Sequence, residues 1–481
     1  MSSTRRDLLK MTAGVAAGTL FTPAPWRLIT DSAILSENWP GIPVPRHGEP
    51  SEKFTNCALC TAGCAVKARC VNDRPISLAG LAKSPICALG LAGLHMPFHT
   101  ARIAHGDAEN AAAAVRTAQG KVAVLDLRPG RTASWTYRRA MAALGGIYLA
   151  PQRILNAVNL AAVKTVVSFG APVLDGWGTP SKVLAAREHF RLIQVEKVQS
   201  HTGLLADRWI PVQPGNEPVV AQQIARDLPA DGSTLFLSSA ELPSVLNMNV
   251  ALGNLGHTVI ARNETPVPAA WSKQAAAVHA IQDVADRSIG ALLIDEASAD
   301  AGVPWDVIAP KLTNSGVVIT FASTQAGYGR YAQFVLPAAV YPEITADIPT
   351  AIDSVVATFR LATPLMPAPG GVVDAAEFIA NLAKLDAKGA LEERAAAIHA
   401  TGRGFLLSYS DQKTRPVMDV KADEFWTALN AGACWSNSES PLKAPQWDAT
   451  IAAPAICEPV RPKPPLFTKL YEESGLKGIA S

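Results

Sequence analysis

The feature that most constrains this chain is a tight group of cysteines near its N-terminus. Cys57, Cys60 and Cys64 follow one another at the spacing C-x2-C-x3-C, and 22 residues separate Cys64 from Cys87. Three closely spaced thiolates can surround one corner of an iron–sulfur cubane, and a distant cysteine can close the site. We therefore predict that residues 56–105 form a small module holding one 4Fe-4S cluster, with these four cysteines as its iron ligands.

Other uses of the cysteines stay open. Four thiolates also suit zinc, and disulfides are common in exported proteins. The odd total of seven cysteines and the tight spacing argue against disulfides. Haem attachment is excluded because Thr61 stands where that motif needs histidine. Cys70 competes with Cys87 as fourth ligand, and we favour Cys87 because it ends a separate loop.

The first residues are typical of a twin-arginine export signal. Arg5 and Arg6 precede a weakly apolar run over 11–21, and this combination marks export in bacteria. Residues 1–30 are therefore predicted to be that signal, and the mature protein is predicted to be periplasmic. The twin-arginine route carries folded cargo, which suits a protein whose cluster is assembled before export.

Composition excludes some classes of function. The chain has 481 residues, 48% of them hydrophobic and 17% charged, so it can bury a large core. The net charge of +2 and the lack of a concentrated basic face argue against a nucleic-acid partner. Beyond the leader no apolar run approaches the roughly 20 residues that span a bilayer, so association with the inner membrane would depend on partner subunits.

Short apolar runs alternate with helical stretches from about residue 117 onward. This alternation predicts parallel sheets covered by helices on both faces. We expect an α/β protein with two lobes, 106–230 and 231–385, after an extended Pro-rich segment at 31–55. Residues 386–481 are predicted to form a helix and a Pro-rich arm. The candidate strands are 121–126, 165–169, 191–195, 234–237, 258–261, 291–294 and 317–321.

Several motifs follow one another along the chain. They are the cysteine motif, HTARI at 99–103, VSFGAP at 167–172, RLIQV at 191–195, ADRWIPVQPGNE at 206–217, NMNVALGNLG at 247–256 and FVLPAAVYPE at 334–343. In their order and spacing they resemble the motifs of the molybdopterin oxidoreductases, the dimethyl-sulfoxide-reductase family, over roughly residues 55–385. The resemblance implies the family's two α/β lobes behind an N-terminal iron–sulfur module.

Departures from the family pattern bear on the cofactor. The family places a lysine two residues after the fourth cysteine, where this chain has Leu89. Members of the family end in a barrel-like domain that closes over the cofactor. Here 96 residues follow residue 385, and they are expected to form only a helix and an arm. We therefore expect molybdopterin to be absent. The alternative is an active molybdenum-bis-pterin oxidoreductase, for which Ser168 and Asp175 are the candidate metal ligands.

A cofactor-less member resembles the molybdopterin-like subunits of the quinone reductase complex and of alternative complex III. This implies an electron-transfer and scaffold subunit of a membrane-bound, quinone-linked respiratory complex, an electron relay rather than an independent catalyst. The implied partners are a multihaem cytochrome c, a ferredoxin-type iron–sulfur subunit and an integral membrane quinol-binding subunit. A purely structural subunit without a cluster is the remaining alternative.

A few polar residues near the cysteines are candidates for a supporting role. Arg69, Arg74 and Lys83 are candidate charges around the cluster, although a plain surface position is more typical of such residues. His95 and His99 could donate to the cluster, but a turn role is favoured for both.

His201 and Asp207 form the most catalytic-looking pair in the chain, and a packing role is favoured because they lie in a family-like stretch. Tryptophans in the terminal segments predict that residues 31–50 and 420–475 bury surface against partners.

Overall fold

A computed structural model of the chain describes residues 5–21, 48–82, 84–118, 120–150, 156–174, 177–238, 245, 247–262, 264–297 and 302–437. Most of the predicted Pro-rich segment and the arm beyond 437 lie outside the described residues. Residues 1–50 and 51–481 form two separate units, and each is described by itself.

The leader residues form the helix Arg5–Phe21. Its leucine, methionine and alanine residues are good helix formers. Among the described helices, none combines the length and the apolar character needed to cross a bilayer.

The second unit is built from short strands and helices. The strands are β1 (Pro50–Asn56), β2 (Ala65–Val71), β3 (Arg74–Gly80), β4 (Val122–Asp126), β5 (Ile147–Leu149), β6 (Asn156–Val158), β7 (Thr165–Phe169), β8 (Arg191–Glu196), β9 (Arg208–Pro211), β10 (Thr234–Ser238), β11 (Val259–Ala261), β12 (Val278–His279), β13 (Ile289–Asp295), β14 (Leu312–Ala322), β15 (Phe334–Pro337), β16 (Ala346–Asp347), β17 (Ala357–Ala362), β18 (Phe405–Ser408), β19 (Thr414–Pro416) and β20 (Ala433–Asn437).

Counting the leader helix as α1, the later helices are α2 (Ala88–Ala92), α3 (Ala108–Thr117), α4 (Thr132–Leu144), α5 (Pro180–Ala186), α6 (His201–Leu204), α7 (Glu217–Arg226), α8 (Met248–Ala251), α9 (Ala269–Gln274), α10 (Trp305–Ile308), α11 (Ala375–Leu382), α12 (Ala390–His399) and α13 (Ala422–Asn430). Short 3-10 turns also occur, among them Gly93–Phe98 and Tyr341–Glu343.

The cysteine module contains a three-stranded sheet in the order β1-β2-β3. Strands β2 and β3 are antiparallel. Asn72 and Asp73 join them with φ values of 48° and 62°. Two consecutive left-handed residues make the tight turn that suits a twisted hairpin, and Asn and Asp tolerate this conformation better than most residues.

A six-stranded parallel sheet forms the first lobe, in the order β12-β5-β4-β13-β14-β15. All residues of β4 are buried, as are nearly all of β13. Strands buried on both faces read as continuous apolar runs, which explains why the sequence pattern located them. The core on one face gathers residues of α3, α4 and α11.

The second lobe contains a four-stranded parallel sheet in the order β10-β7-β8-β9. The expected α/β fold with parallel sheets is therefore confirmed. The division of the chain differs from the predicted lobes 106–230 and 231–385. Strand β10 pairs with β7, while β4 and β5 join strands from beyond residue 278. The second lobe is thus inserted between two parts of the first.

The segment after residue 385 is more structured than the predicted helix and arm. Strands β18, β19 and β20 join β16 and β17 in a five-stranded sheet whose described pairings are antiparallel. Trp435 is fully buried in this sheet, and its indole nitrogen donates to the Arg403 carbonyl at 2.9 Å. Part of 420–437 therefore packs on its own chain, while 421–424 are exposed. Contact of 420–475 with a partner stays a prediction, and 438–475 lie outside the described residues.

Candidate functional site

Three of the predicted cysteines share one loop. Cys57, Cys60 and Cys64 lie between the end of β1 and the start of β2. The Cys57 amide donates to the Cys64 carbonyl at 2.9 Å, which brings the two ends of the loop together. Gly63 has a φ of 53°, and a β-carbon there would lie 3.1 Å from the Arg360 side chain. The turn at this position therefore favours glycine.

Cys87 comes from a separate element that packs against this loop. It directly precedes α2. In α2, a β-carbon added to Gly90 would lie 3.4 Å from the Cys57 sulfur. The backbone of α2 therefore lies close to that thiol, and the glycine allows the approach.

The charges confirm that the four thiols are neighbours. Burial raises the pKa of Cys57 well above its usual value, and Cys60, Cys64 and Cys87 raise it further. Burial, Cys60 and Cys87 raise the pKa of Cys64 to about 12, against the lowering effect of Arg360. We call Cys57, Cys60, Cys64 and Cys87 the four-thiol group. Two of its members are buried and two, Cys60 and Cys87, are half-buried.

Cys70 does not belong to this group. It lies on β2, six residues beyond Cys64, which at 3.3 Å per strand residue is about 20 Å along an extended chain. Burial raises its pKa, and its charged neighbours are Lys53 and Asp73 rather than other thiols. The structure therefore separates the two candidates for the fourth ligand.

The thiols share a neighbourhood without meeting at one point. Within the described ranges, no three His, Cys, Asp or Glu side chains converge closely enough to bind a single metal ion as they stand. In a cubane, each cysteine binds a different iron, so its ligands surround the cluster instead of converging on one ion. The arrangement of the four-thiol group is compatible with that requirement.

Two arginines that the sequence analysis missed support the cysteine loop. Arg128 donates to the carbonyls of Ala58 and Leu59 at 2.6 and 3.0 Å. Arg360, on β17, donates to the carbonyls of Ala62 and Gly63 at 3.1 and 2.7 Å.

The two guanidiniums thus satisfy carbonyl groups on both halves of the loop. Arg360 also places positive charge beside Cys64. Neither residue is near the cysteines in sequence, so no local pattern identifies them.

A buried tyrosine also faces the four-thiol group. Tyr341 begins the 3-10 turn after β15, is 4% exposed and packs in the same apolar core as Cys57 and Cys64. Burial, followed by the thiols of Cys57, Cys64 and Cys87, raises its pKa well above the usual value. Its phenol oxygen makes no well-aligned hydrogen bond among the described residues, and the Cys57 thiol is the polar side chain that approaches it.

The predicted supporting residues have ordinary positions. Arg69 and Arg74 are exposed on β2 and β3, and His95 is exposed as well. The ring of His99 accepts from the Ala101 amide at 3.1 Å, a turn contact. Lys83 lies outside the described residues. The surface and turn roles favoured for these side chains are confirmed where the structure describes them.

The remaining candidates serve the second lobe. The Ser168 hydroxyl is buried and donates to the Ala171 carbonyl at 3.0 Å. Asp207 accepts from the Leu192 amide at 2.7 Å and pairs with Arg187 at 3.0 Å. These contacts are structural, as the sequence analysis favoured for Asp207. Asp175 lies outside the described residues.

A cavity of about 400 Å³ opens at the edge of the six-stranded sheet. Asp126 and Asp295 are the last residues of β4 and β13, so they mark the carboxyl edge, where α/β sheets bind ligands. The charged residues that line the cavity are Arg131, Asp295, Asp347, Asp374, Glu377, Lys388 and Glu392. Carboxylates therefore outnumber cations in its lining.

Two buried arginines at this edge are already paired with carboxylates. Arg131 contacts Asp126 at 3.1 Å and Asp295 at 2.8 Å, and all three side chains are buried. Arg394 contacts Asp347 at 2.7 Å, where both are also buried. Burial alone would raise the pKa of Asp126, but Arg131 and nearby hydrogen-bond donors lower it below the usual value. The buried arginines of the edge are therefore held in internal ion pairs, and Lys388 is the other cation that lines the cavity.

These features define a class of protein: an α/β protein with two parallel sheets and an N-terminal cysteine module. No family model matches the sequence. Among solved structures, acetylene hydratase from Pelobacter acetylenicus, a molybdopterin enzyme of the dimethyl-sulfoxide-reductase family, has a similar fold, with a TM-score of 0.54. The match covers 88% of this chain and 78% of that chain at 12% identity, so the likeness is one of fold.

A particular relative is the molybdopterin-binding-like subunit of menaquinone reductase from Nitratidesulfovibrio vulgaris. It is 24% identical over an alignment of 287 positions, which covers 49% of this chain and 41% of the relative. The match thus spans less than half the length of that protein. Together the two comparisons support the resemblance that the sequence motifs predicted, and the curated relative is a subunit of a menaquinone reductase.

Proposed function

We propose that this chain is the iron–sulfur electron-transfer and scaffold subunit of a membrane-bound, quinone-linked respiratory complex. The observation that carries the proposal is the four-thiol group, in which two separate elements bring Cys57, Cys60, Cys64 and Cys87 into one partly buried site. In this proposal the four cysteines hold one 4Fe-4S cluster, which passes single electrons between neighbouring redox groups.

The surroundings of the thiols suit such a cluster. A cluster held by four thiolates carries net negative charge, which is costly to bury without nearby donors or cations. Arg360 is close enough to lower the pKa of Cys64, and Arg128 is anchored on the same loop. Hydrogen bonds and charges around the sulfurs set the potential of an iron–sulfur centre. The chain's role is to hold the cluster and to adjust that potential.

The exposure of the thiols favours a relay. Cys57 and Cys64 are buried, whereas Cys60 and Cys87 are half-buried. One side of the cluster would therefore lie near the surface, where a partner's redox group can approach it. We propose a multihaem cytochrome c, a ferredoxin-type iron–sulfur subunit and an integral membrane quinol-binding subunit as the partners. The similarity to a menaquinone reductase subunit supports a place in a quinone-linked complex, and the three named partners follow from the family resemblance.

We also propose that the chain holds no molybdopterin. That cofactor carries phosphate groups and needs unpaired cations or amides around them. The cavity at the sheet edge instead presents Asp374 and Glu377, and its buried Arg131 is already shared by Asp126 and Asp295. An anionic cofactor there would meet carboxylates, so these residues do not fit it.

The proposed location is the periplasm, reached by the twin-arginine route. Its support is the sequence of the first residues, in particular Arg5 and Arg6 before the apolar run. Membrane association would come from the partners.

The test is metal analysis with electron paramagnetic resonance on the purified, dithionite-reduced protein. We expect about four irons per chain, the signal of a reduced cubane and no molybdenum. The matched variants are Cys87→Ser and Cys70→Ser. The first should lose the cubane signal, since it removes a ligand, and the second should keep both iron and signal.

Other outcomes identify the alternatives. About one molybdenum per chain would contradict the assignment of the sheet-edge cavity. Zinc, or no metal at all, would leave a structural subunit. A cubane signal that survives Cys87→Ser but not Cys70→Ser would show that the fourth ligand is assigned wrongly.

A further inference from the structure

We infer that the phenol of Tyr341 donates a hydrogen bond to a cluster sulfur, that of Cys57, and thereby favours the reduced state of the cluster. The inference deepens the proposed function and rests on it. Tyr341 would be a positioning and tuning residue, since it lies beside the ligands and is not one of them.

The first argument concerns the buried hydroxyl. Burying a hydroxyl without a hydrogen bond is unfavourable, and buried tyrosine hydroxyls usually have a partner. The Tyr341 hydroxyl makes no well-aligned hydrogen bond among the described residues, although the side chain is only 4% exposed, and the polar side chain that approaches it is the Cys57 thiol. Other buried tyrosines of this chain are satisfied. Tyr137 donates to Asp295 at 2.9 Å and Tyr148 to Asp126 at 2.7 Å.

The second argument is where the ring lies. Tyr341 packs in the core that contains Cys57 and Cys64, and the thiols of Cys57, Cys64 and Cys87 are the charged groups that act on it. Its ring also lies on the backbone of Gly93, where an added β-carbon would come within 2.6 Å of the ring. The side chain is therefore held on the side of the module that carries the thiols.

The third argument is that the turn carrying Tyr341 is fixed. Two residues along, Glu343 accepts both Nη atoms of Arg102 at 2.6 and 2.5 Å, and both side chains are largely buried. Glu343 also accepts from the Val340 amide at 3.2 Å. A bidentate ion pair of this kind restricts geometry strongly, so the phenol is presented to the thiols by a rigid backbone.

A thiolate bound to iron is a hydrogen-bond acceptor, and its charge grows when the cluster gains an electron. A donor beside it therefore stabilises the reduced state more than the oxidised state. Removing the hydroxyl should lower the potential. At a fixed ambient potential near the midpoint, we expect the ratio of reduced to oxidised cluster to fall by roughly three- to tenfold.

The experiment is a redox titration of the wild-type protein, Tyr341→Phe and Tyr328→Phe, with dithionite as reductant and the paramagnetic signal as readout. Tyr328 is a buried tyrosine whose hydroxyl contacts the Val303 backbone instead. Iron content is measured on each sample. We expect four irons in all three proteins and a lower potential in Tyr341→Phe only.

A second measurement addresses the hydrogen bond itself. Iron–sulfur stretching bands in the resonance Raman spectrum should shift in deuterated solvent for the wild type, and the shift should be smaller for Tyr341→Phe. Full iron content with an unchanged potential and an unchanged isotope shift would overturn the inference. Absence of iron from the wild type would instead refute the proposed function, and the two failures are therefore distinguishable.

Discussion

Replacing Glu296 with glutamine should stabilise this protein in alkaline solution and leave it nearly unchanged in acid. Glu296 follows β13 and is 5% exposed. Its carboxyl group accepts from the Thr320 hydroxyl at 3.0 Å and from the Tyr328 amide at 3.2 Å. Burial raises its pKa from 4.5 to about 8, and these donors only partly oppose that effect.

The sign follows from proton binding. Between about pH 4.5 and pH 8 the folded protein keeps the Glu296 proton, whereas the unfolded chain has lost it. The folded state therefore binds more protons in this range, and the free energy of unfolding falls as the pH rises through it. The contribution is complete below the pKa of the unfolded chain and lost above about pH 8.

The magnitude follows from the same interval. At about 1.4 kcal/mol per pH unit, the interval between the two pKa values gives Glu296 an upper limit of roughly 5 kcal/mol for its effect on the free energy of unfolding. Local relaxation reduces this figure, and we expect about 2–4 kcal/mol. Glu296→Gln keeps the shape, can donate to the Thr320 hydroxyl and can accept from the Tyr328 amide. It should therefore match the wild type at pH 5 and exceed its stability at pH 8.5.

The assay is hydrogen exchange of peptides that cover β13 and β14, because exchange reports the free energy of local opening. Wild type and variant are compared at equal pH from 5 to 8.5. Glu188→Gln, at an exposed position, is the matched control and should change little at any pH. A difference between Glu296→Gln and wild type that stays constant over this range would refute the reasoning.

Two further predictions concern the arginines. Arg131→Met would leave the buried carboxylates of Asp126 and Asp295 without their shared cation, so the free energy of unfolding should fall by about 3–5 kcal/mol; an unchanged calorimetric melting temperature would contradict this. Arg360→Met removes the donors to the Ala62 and Gly63 carbonyls and a positive charge beside Cys64, so it should lower both iron occupancy and cluster potential. Retention of the wild-type iron content and redox midpoint would show that this arginine only supports the fold.

Much of the local structure could be predicted from the sequence. Each strand predicted between residues 121 and 321 has a counterpart, because a strand buried on both faces needs a short apolar run, and such a run is a local signal. The loop that carries Cys57, Cys60 and Cys64 could also be predicted, because cysteines so close in sequence must lie on one short segment.

The pairing of strands was not predictable in this way. The residues of β10 fit either parallel sheet equally well, because buried strands of similar length have the same apolar pattern. Only the tertiary structure pairs it with β7 and inserts the second lobe into the first. The same holds for the C-terminal sheet, whose short strands are separated by helices and give weak local signals.

The sequence by itself determined which cysteines could serve as ligands and which segments form strands, because both depend on neighbours along the chain. The tertiary structure decided what surrounds the thiols. Arg128 contacts the carbonyl of Ala58, 70 residues away, and Arg360 contacts the carbonyl of Ala62, 298 residues away. Tyr341 comes from a third part of the chain. A buried charge or hydroxyl is stabilised by the groups that the fold brings within hydrogen-bonding distance. Such groups can lie far apart along the chain, so the sequence does not show that they are neighbours.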